Sequence, residues 1–440
     1  MIIDKVTLND LTVFDGQNAV FHLLNKCTSQ QGSQQLLRKL QKPATSFETV
    51  LEEQKAVRFW TEHAEHWPKE ISNGTLVMIE KYYEIAESAP EKPNNATLFF
   101  SAIIHKLFNK DVYSFVRFSI SHLIDFLNGI AFIHQLEQQN PPLYIQRELD
   151  GLQQLLNHPL GQSLLKTSAA SSQKTLLALS YRVRRDLKSL VLKSLAHYAK
   201  LDAYRSMAIA GKAMNWTFPE MLPSSALEME FKGLFHPLLK EPVPYDLKFS
   251  KEKNFLFLTG ANMSGKSTLL RSMGIAALLA HMGMSVPAKE MKMSFLEGII
   301  TNMQVEDNIL LGESYFFAEV QRMKLTAEKL HQSQYHLVLM DELFKGTNVH
   351  DAYECSHAVI KGLLQQEDNL MALSTHLNEL SEDLEKENAL FFKYCYTDIT
   401  ESGEYKFSYQ LRDGVSKDRI GFLVLKKAGV LDLLSKDTEK

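Results

Sequence analysis

Four short stretches of this 440-residue chain carry residues whose types and spacing could do chemistry together. The first, Gly260-Ala261-Asn262-Met263-Ser264-Gly265-Lys266-Ser267, reads G-x-x-x-x-G-K-[ST] and runs on into Thr268. Gly260 and Gly265 permit a tight turn whose amides converge on a phosphate, aided by the positive end of a following helix. In such a loop Lys266 bridges the β- and γ-phosphates and the Ser267 hydroxyl binds Mg2+. ATP and Mg2+ are the implied cofactors. The second stretch, HLVLMDELFKGTN, ends an apolar run in Asp341-Glu342. Asp341 suits a water-mediated Mg2+ ligand, and Glu342 a carboxylate that polarises an attacking water. Two adjacent acids with separate roles fit hydrolysis better than transfer to a bound acceptor. An exposed acidic turn after a core strand is the plainer alternative. The third stretch, LSTHLNEL, places His376 after another apolar run, where it either assists at the γ-phosphate or is structural. The fourth, GESYFFAEV, sets Ser314 ahead of a helix. Ser314 either caps that helix or presents its hydroxyl to an anion. If it completes a nucleotide site, it does so from a second subunit.

These groups need strands that end at one level. Residues 255–260, 298–303, 335–342 and 369–376 read as buried strands separated by helical patterns, and a helix is expected from Lys266 to about Ala280. Strands alternating with helices give an α/β layer with a mainly parallel sheet. An acid at a strand's carboxyl end then lies beside the phosphate loop. Residues 1 to about 217 are different. Glycine and proline are sparse, and apolar residues recur at helical spacing, as in Val116, Ile120, Leu123, Leu127 and Ile130. Residues 180–214 form a long run without proline, with breaks expected at 140–142 and 168–173. The stretch 217–230, with Pro219 and Pro223, is the expected domain boundary.

Composition narrows the classes. The chain is 45% hydrophobic and 23% charged, an ordinary globular balance. A net charge of −4 excludes a general polyanion binder, so any nucleic-acid contact needs a local basic surface. Three distant cysteines, Cys27, Cys355 and Cys395, give neither a disulfide framework nor a zinc site. The opening MIIDKVTLNDL lacks the apolar core of a signal peptide. The apolar region 98–134 is interrupted by Lys106, Lys110, Asp111, Arg117 and Asp125, which argues against a membrane span. A cytoplasmic location without membrane contact is expected.

Taken together, the four stretches resemble the MutS family of DNA mismatch-repair ATPases, within the ABC-type ATPase class. TGANMSGKST is similar to the family's TGPNMGGKST; Asn262 and Met263 match its unusual part, while Ala261 and Ser264 depart. LVLMDELFKGTN resembles LVLIDEIGRGTS, and STHLNEL resembles ATHFHEL with His376 in place. GESYFFAEV is similar to G-x-STF-x-x-E, with Tyr315 where the family has threonine. FHPLL at 235–239 and the segment 411–430 look like the entry and close of the family's ATPase domain. Residues 8–43 and 200–222 resemble the entry and exit of its helical core, or lever, domain.

The resemblance implies a multidomain α and α/β fold: a helical lever domain over residues 1–222, then an ABC-type P-loop NTPase domain over 223–433. It implies a dimer with composite ATP sites, as a homodimer or a hetero-oligomer with a related subunit. Gly260 to Thr268 would bind nucleotide, and Ser267 and Asp341 would hold Mg2+. Glu342 would act with His376 and Asn262 in catalysis, and Ser314 would act in trans. The mismatch-reading and connector domains are expected to be missing. Phe317-Ala318-Glu319 lies inside the signature and is not the family's Phe-x-Glu mismatch reader. A contact with duplex or branched DNA would fall to Arg182, Arg185, Lys188 and Lys193, unless these are only a solvated helix face. Three purposes follow: a DNA-binding ATPase of repair or recombination, an ATP-gated protein-interaction module without mismatch recognition, and a transporter motor. The last lacks an LSGGQ-like signature.

Overall fold

The computed structural model describes residues 1–16, 19–84, 110–167, 173–303, 315–399, 405–416, 425–430 and 433. The chain divides into two units. An α/β unit comprises Met1–Leu23, Lys39–Leu51 and Ala213–Lys440, and a helical unit comprises Leu24–Arg38 and Glu52–Lys212. This differs from a single cut near residue 222. The physical reason is long-range pairing of the N-terminal segment, described below.

The main sheet of the α/β unit has seven strands. In spatial order they are β1 (Ile2–Ile3), β7 (Gly298–Asn302), β8 (His336–Asp341), β9 (Leu370–Ser374), β5 (Phe255–Gly260), β10 (Leu390–Ile399) and β11 (Tyr405–Asp413). All neighbours are parallel except β10 and β11. The four strands expected from the sequence are therefore present. β5 is buried at every position, as a central parallel strand covered on both faces must be. Side chains alternate across the sheet. Val338 and Met340 of β8 join Phe255, Phe257, Met371 and Leu373 in a core closed by Ile360, Leu363, Leu380 and Leu384. Leu339 faces the other way, towards the Lys266–His281 helix, where a Cβ on Gly274 would lie 3.0 Å from its Cδ1. A second sheet, not foreseen, runs β2 (Glu220–Leu222), β6 (Glu290–Ser294), β3 (Met229–Leu234) and β4 (Tyr245–Phe249).

The first residues of the chain belong to this unit. β1 adds to the edge of the main sheet in parallel with β7, pairing Ile2 with Gly298 and Ile3 with Ile299. The Lys5–Asp10 helix follows, capped by Asp4, whose side chain accepts from the Thr7 amide. Asp4 and Asp10 both reach the Tyr315–Gln332 helix: Asp4 pairs with Lys329 at 2.5 Å, and Asp10 with Arg322 at 2.6 Å. Asp10 is 3% exposed and also accepts from Thr301 Oγ1 at 2.6 Å. Arg322 is further fixed by Asn302 Oδ1 at 2.9 Å and the Thr301 carbonyl at 2.5 Å.

In the helical unit, the Lys110–His134 helix packs with the Asn73–Glu84 and Leu143–Asn157 helices. With the 3-10 turn that follows, the stretch Ser114–Gln139 is long and apolar enough to cross a membrane, yet half of its apolar 18-residue window is buried inside the protein. The long run expected over 180–214 is not one uniform helix. The Gln173–Arg182 and Lys188–Ala213 helices are joined by a π-helical turn, Val183–Leu187. A π turn disturbs the regular carbonyl pairing. Tyr82 Oη donates to the Ser180 carbonyl at 3.0 Å and Tyr83 Oη to that of Val183 at 3.4 Å.

The Asp10–Arg322 pair yields a stability prediction. Removing one partner of a buried pair strands the other charge and costs about 3–5 kcal/mol. Asp10→Ala should lower the urea-unfolding free energy by about that amount. A loss below about 1 kcal/mol, the range of exposed pairs, would show the pair to be dispensable.

Candidate functional site

The register of the sheet assembles the site. Leu258 of β5 and Asp341 of β8 are each paired with Ser374 of β9, on its two sides. β9 therefore lies between the phosphate loop and the two acids, and the chain leaving it carries His376 into the gap. Ser374 Oγ donates to Asp341 Oδ1, which orients that carboxylate.

The loop itself has the backbone its glycines require. Gly260 has φ +140° and Gly265 φ +104°, and the Lys266–His281 helix starts directly after Gly265. Met263 is also left-handed at φ +67° and is 74% exposed. Lys266 is buried and turned back over the loop. Its Nζ donates to the carbonyls of Gly260 at 2.9 Å and Ala261 at 3.1 Å, and lies 3.2 Å from His376 Nε2. Burial lowers its pKa, opposed chiefly by the charge of Glu342.

Glu342 sits on the other side of His376, with Oε1 2.7 Å from Nε2. Its Oε2 pairs with Lys345 Nζ at 3.1 Å. Burial alone would raise its pKa, but the hydrogen bonds and charges of His376 and Lys345 prevail and hold it at about 2. Glu342 and Phe344 both occupy the left-handed region, at φ +56° and +57°. Such non-glycine residues cost about 1–3 kcal/mol each and need support from their surroundings.

A cavity of about 440 Å³ opens beside the loop. Asn262, Lys266, Ser267 and Glu342 line one part of it, and Leu239, Val243 and Tyr409 another. Polar groups of the kind that suit a phosphate thus stand next to an apolar and aromatic wall. The hydroxyl of Ser267 and the carboxylate of Asp341 offer oxygen donors only, the set that Mg2+ prefers.

A family model described as MutS domain V matches residues 256–439, the part of the chain that supplies β5, β8, β9 and the groups at their ends. The DNA mismatch repair protein MutS of Persephonella marina is 31% identical over 278 residues, covering 60% of this chain and 31% of that protein. The protein of that name from Thermotoga sp. (strain RQ2) is 31% identical over 249 residues, covering 56% and 30%. That of Aquifex pyrophilus is 28% identical over 287 residues, covering 63% and 33%. Residues 256–439 of the chain are thus similar to MutS domain V. The chain spans about a third of the length of these curated relatives.

In this chain, Lys266, His376 and Glu342 form one contact chain, with Asp341 beside it. Asn262 is exposed at the cavity rim, whereas Ala261 and Ser264 are buried beneath the loop. Ser314 lies outside the described residues. Four neighbours escaped sequence reasoning: Lys345, Ser374, Tyr245 and Tyr409. The two tyrosines flank Gly265, where an added Cβ would meet Tyr245 Oη at 3.1 Å and Tyr409 Cδ1 at 3.3 Å. Only the alternation of β4 and β11 hinted at them.

The basic candidates lie on the helical unit. Arg182, Arg185 and Lys193 are exposed and Lys188 is half-buried. Arg185 pairs with Asp186 at 2.9 Å. Of the other basic residues nearby, Arg184 covers the Tyr82 ring at 4.6 Å, Lys200 pairs with Glu148 at 3.0 Å, and Arg205 donates to the Ala64 carbonyl at 2.7 Å.

Gly265→Ala should destabilise the α/β unit by about 1–2 kcal/mol, because its left-handed φ is strained for any residue with a Cβ. Denaturant unfolding of the two proteins measures this. Equal midpoints and slopes would show that the loop relaxes without cost.

Proposed function

We propose that this chain is a MutS-type DNA-binding ATPase that binds and hydrolyses Mg-ATP to switch a dimer between states. The process served is DNA mismatch repair or a related repair or recombination reaction. In this reading the α/β unit acts as an ABC-type P-loop ATPase domain, and the helical unit, Leu24–Arg38 with Glu52–Lys212, supplies the lever. The observation that carries the reading is the Lys266–His376–Glu342 chain at the ends of three adjacent parallel strands, with Asp341 alongside.

The amides of the 260–268 loop and the helix start would hold the phosphates, and Lys266 would leave its carbonyl partners for the β- and γ-oxygens. Leu239, Val243 and Tyr409 would take the nucleobase. Ser267 and Asp341 would hold Mg2+, whose chemistry there would be charge neutralisation at the phosphates. Glu342 is too acidic to take a proton early, so it would orient and polarise water, with His376 and Asn262 assisting. Ser314 of a second copy, or of a related subunit, would complete the site.

Lys266→Ala is expected to weaken Mg-ATP binding by about 100-fold, since charge-assisted hydrogen bonds are worth about 1.5–3 kcal/mol each. Equilibrium binding of a fluorescent ATP analogue reads this, and normal affinity would remove Lys266 from the role. Glu342→Gln should keep ATP bound and slow hydrolysis by about 100-fold or more, the scale of positioned acid–base groups. Hydrolysis at the normal rate would show that another group handles the water.

The DNA part has its own test. ATPase rate is measured with homoduplex, mismatched and branched DNA at two salt concentrations. Salt-sensitive stimulation supports the proposal. No response to any DNA favours an ATP-gated protein-interaction module instead. The engagement of Arg184, Lys200 and Arg205 within the helical unit is the observation on that side.

A further inference from the structure

The loop after β8 is held from an unexpected direction. Glu319, on the Tyr315–Gln332 helix, is 8% exposed, and its two carboxylate oxygens accept from consecutive backbone amides. The Lys345 amide donates to Oε1 at 3.1 Å and the Gly346 amide to Oε2 at 3.0 Å. The clamped stretch begins immediately after left-handed Phe344, at φ +57°. The loop also lies hard against the helix: a Cβ on Gly346 would meet the Phe316 amide nitrogen at 2.7 Å. One turn further along, Arg322 ties the same helix to Asp10. A small cavity of about 20 Å³ is lined by Glu319 and Arg322 together with Asp341 and Glu342.

We propose that Glu319 is a positioning residue for hydrolysis: by gripping the Lys345 and Gly346 amides it sets the Lys345 side chain against Glu342. The Glu319 carboxylate accepts from the two loop amides. It acts through the backbone of a strained loop, and a bidentate carboxylate suits two adjacent N–H donors as no neutral side chain does. The Asp10–Arg322 pair keeps the helix in place, so the N-terminal segment shares in defining the geometry around Glu342.

The inference rests on the proposed role of Glu342, and the experiment separates the two. Single-turnover hydrolysis and ATP binding are measured for Glu319→Ala, Glu319→Gln, Lys345→Ala, the Glu319→Ala/Lys345→Ala double variant and Glu342→Gln. Glu319→Ala should lower the hydrolysis rate about tenfold with ATP affinity and binding stoichiometry unchanged. Glu319→Gln, which keeps one acceptor, should fall between it and the parent. In the Lys345→Ala background Glu319→Ala should cost less than twofold more, because the side chain it positions is gone. A purely structural role would multiply the two losses and lower the binding stoichiometry, and that result overturns the inference. So does a normal rate in both Glu319 variants while Glu342→Gln is impaired. A normal rate in Glu342→Gln would instead overturn the role assigned to Glu342. Should Glu319→Ala fail to fold, the same comparison is made with Glu319→Gln.

Discussion

The register of three parallel strands is the constraint on which the site depends. With β9 between β5 and β8, the phosphate loop and the acids are one strand apart on either side, about 4.8 Å each. A histidine leaving β9 can then touch Lys266 and Glu342 at once. Pairing of Leu258 and Asp341 with the same Ser374 fixes this level. A slip of one residue in β8 would turn Asp341 to the other face and put Met340 opposite Ser374. The alternation of Val338 and Met340 into one core and Leu339 towards the other face opposes that slip, because it would exchange every buried contact at once.

Concentrating charge at strand ends has physical consequences nearby. Lys266 is buried, and burial disfavours its charge. Its Nζ donates to two backbone carbonyls, and the charge of Glu342 opposes the effect of burial. Glu342 holds the complementary charge beyond the histidine and is steadied by Lys345. The left-handed residues Glu342 and Phe344 aim these groups but are unfavourable by themselves. Their support comes from Glu319 and, behind it, from Arg322 and Asp10, so the unit's first strand and helix are coupled to its chemistry by packing rather than by sequence proximity.

The same distinction explains what could be read in the sequence. The phosphate loop, the β8 acids and the position of His376 on a neighbouring strand were legible because each is a local pattern of spacing after an apolar run. The strands at 255–260, 298–303, 335–342 and 369–376 agree with β5, β7, β8 and β9 within a residue or two at each end. The N-terminal strand was not legible: β1 has two residues, too few for periodicity, and only its pairing with β7 defines it. Glu319 sat in a quoted motif, but its partners are the amides of Lys345 and Gly346, and backbone donors leave no trace in a sequence. The π turn at 183–187 was not legible either; the carbonyls of Ser180 and Val183 at its start accept from Tyr82 and Tyr83, far away in sequence. The helical unit ends at Lys212, near the expected boundary, but residues 1–23 and 39–51 join the α/β unit, which chain order alone does not reveal.

The helical unit limits how any nucleic acid could be held. Of the basic residues between Arg182 and Arg205, Arg184, Lys200 and Arg205 already serve aromatic, acidic or carbonyl partners within the unit. Arg185 shares its charge with Asp186. Arg182 and Lys193 are exposed, and Lys188 between them is half-buried and engaged in an interaction of its own. Each phosphate neutralised contributes about −0.9 to the slope of log K against log salt, so two or three contacts give a slope of about −2 to −3. That is shallow for a duplex binder and predicts weak attachment by one copy. Two copies on one duplex would add their slopes and gain from effective concentration.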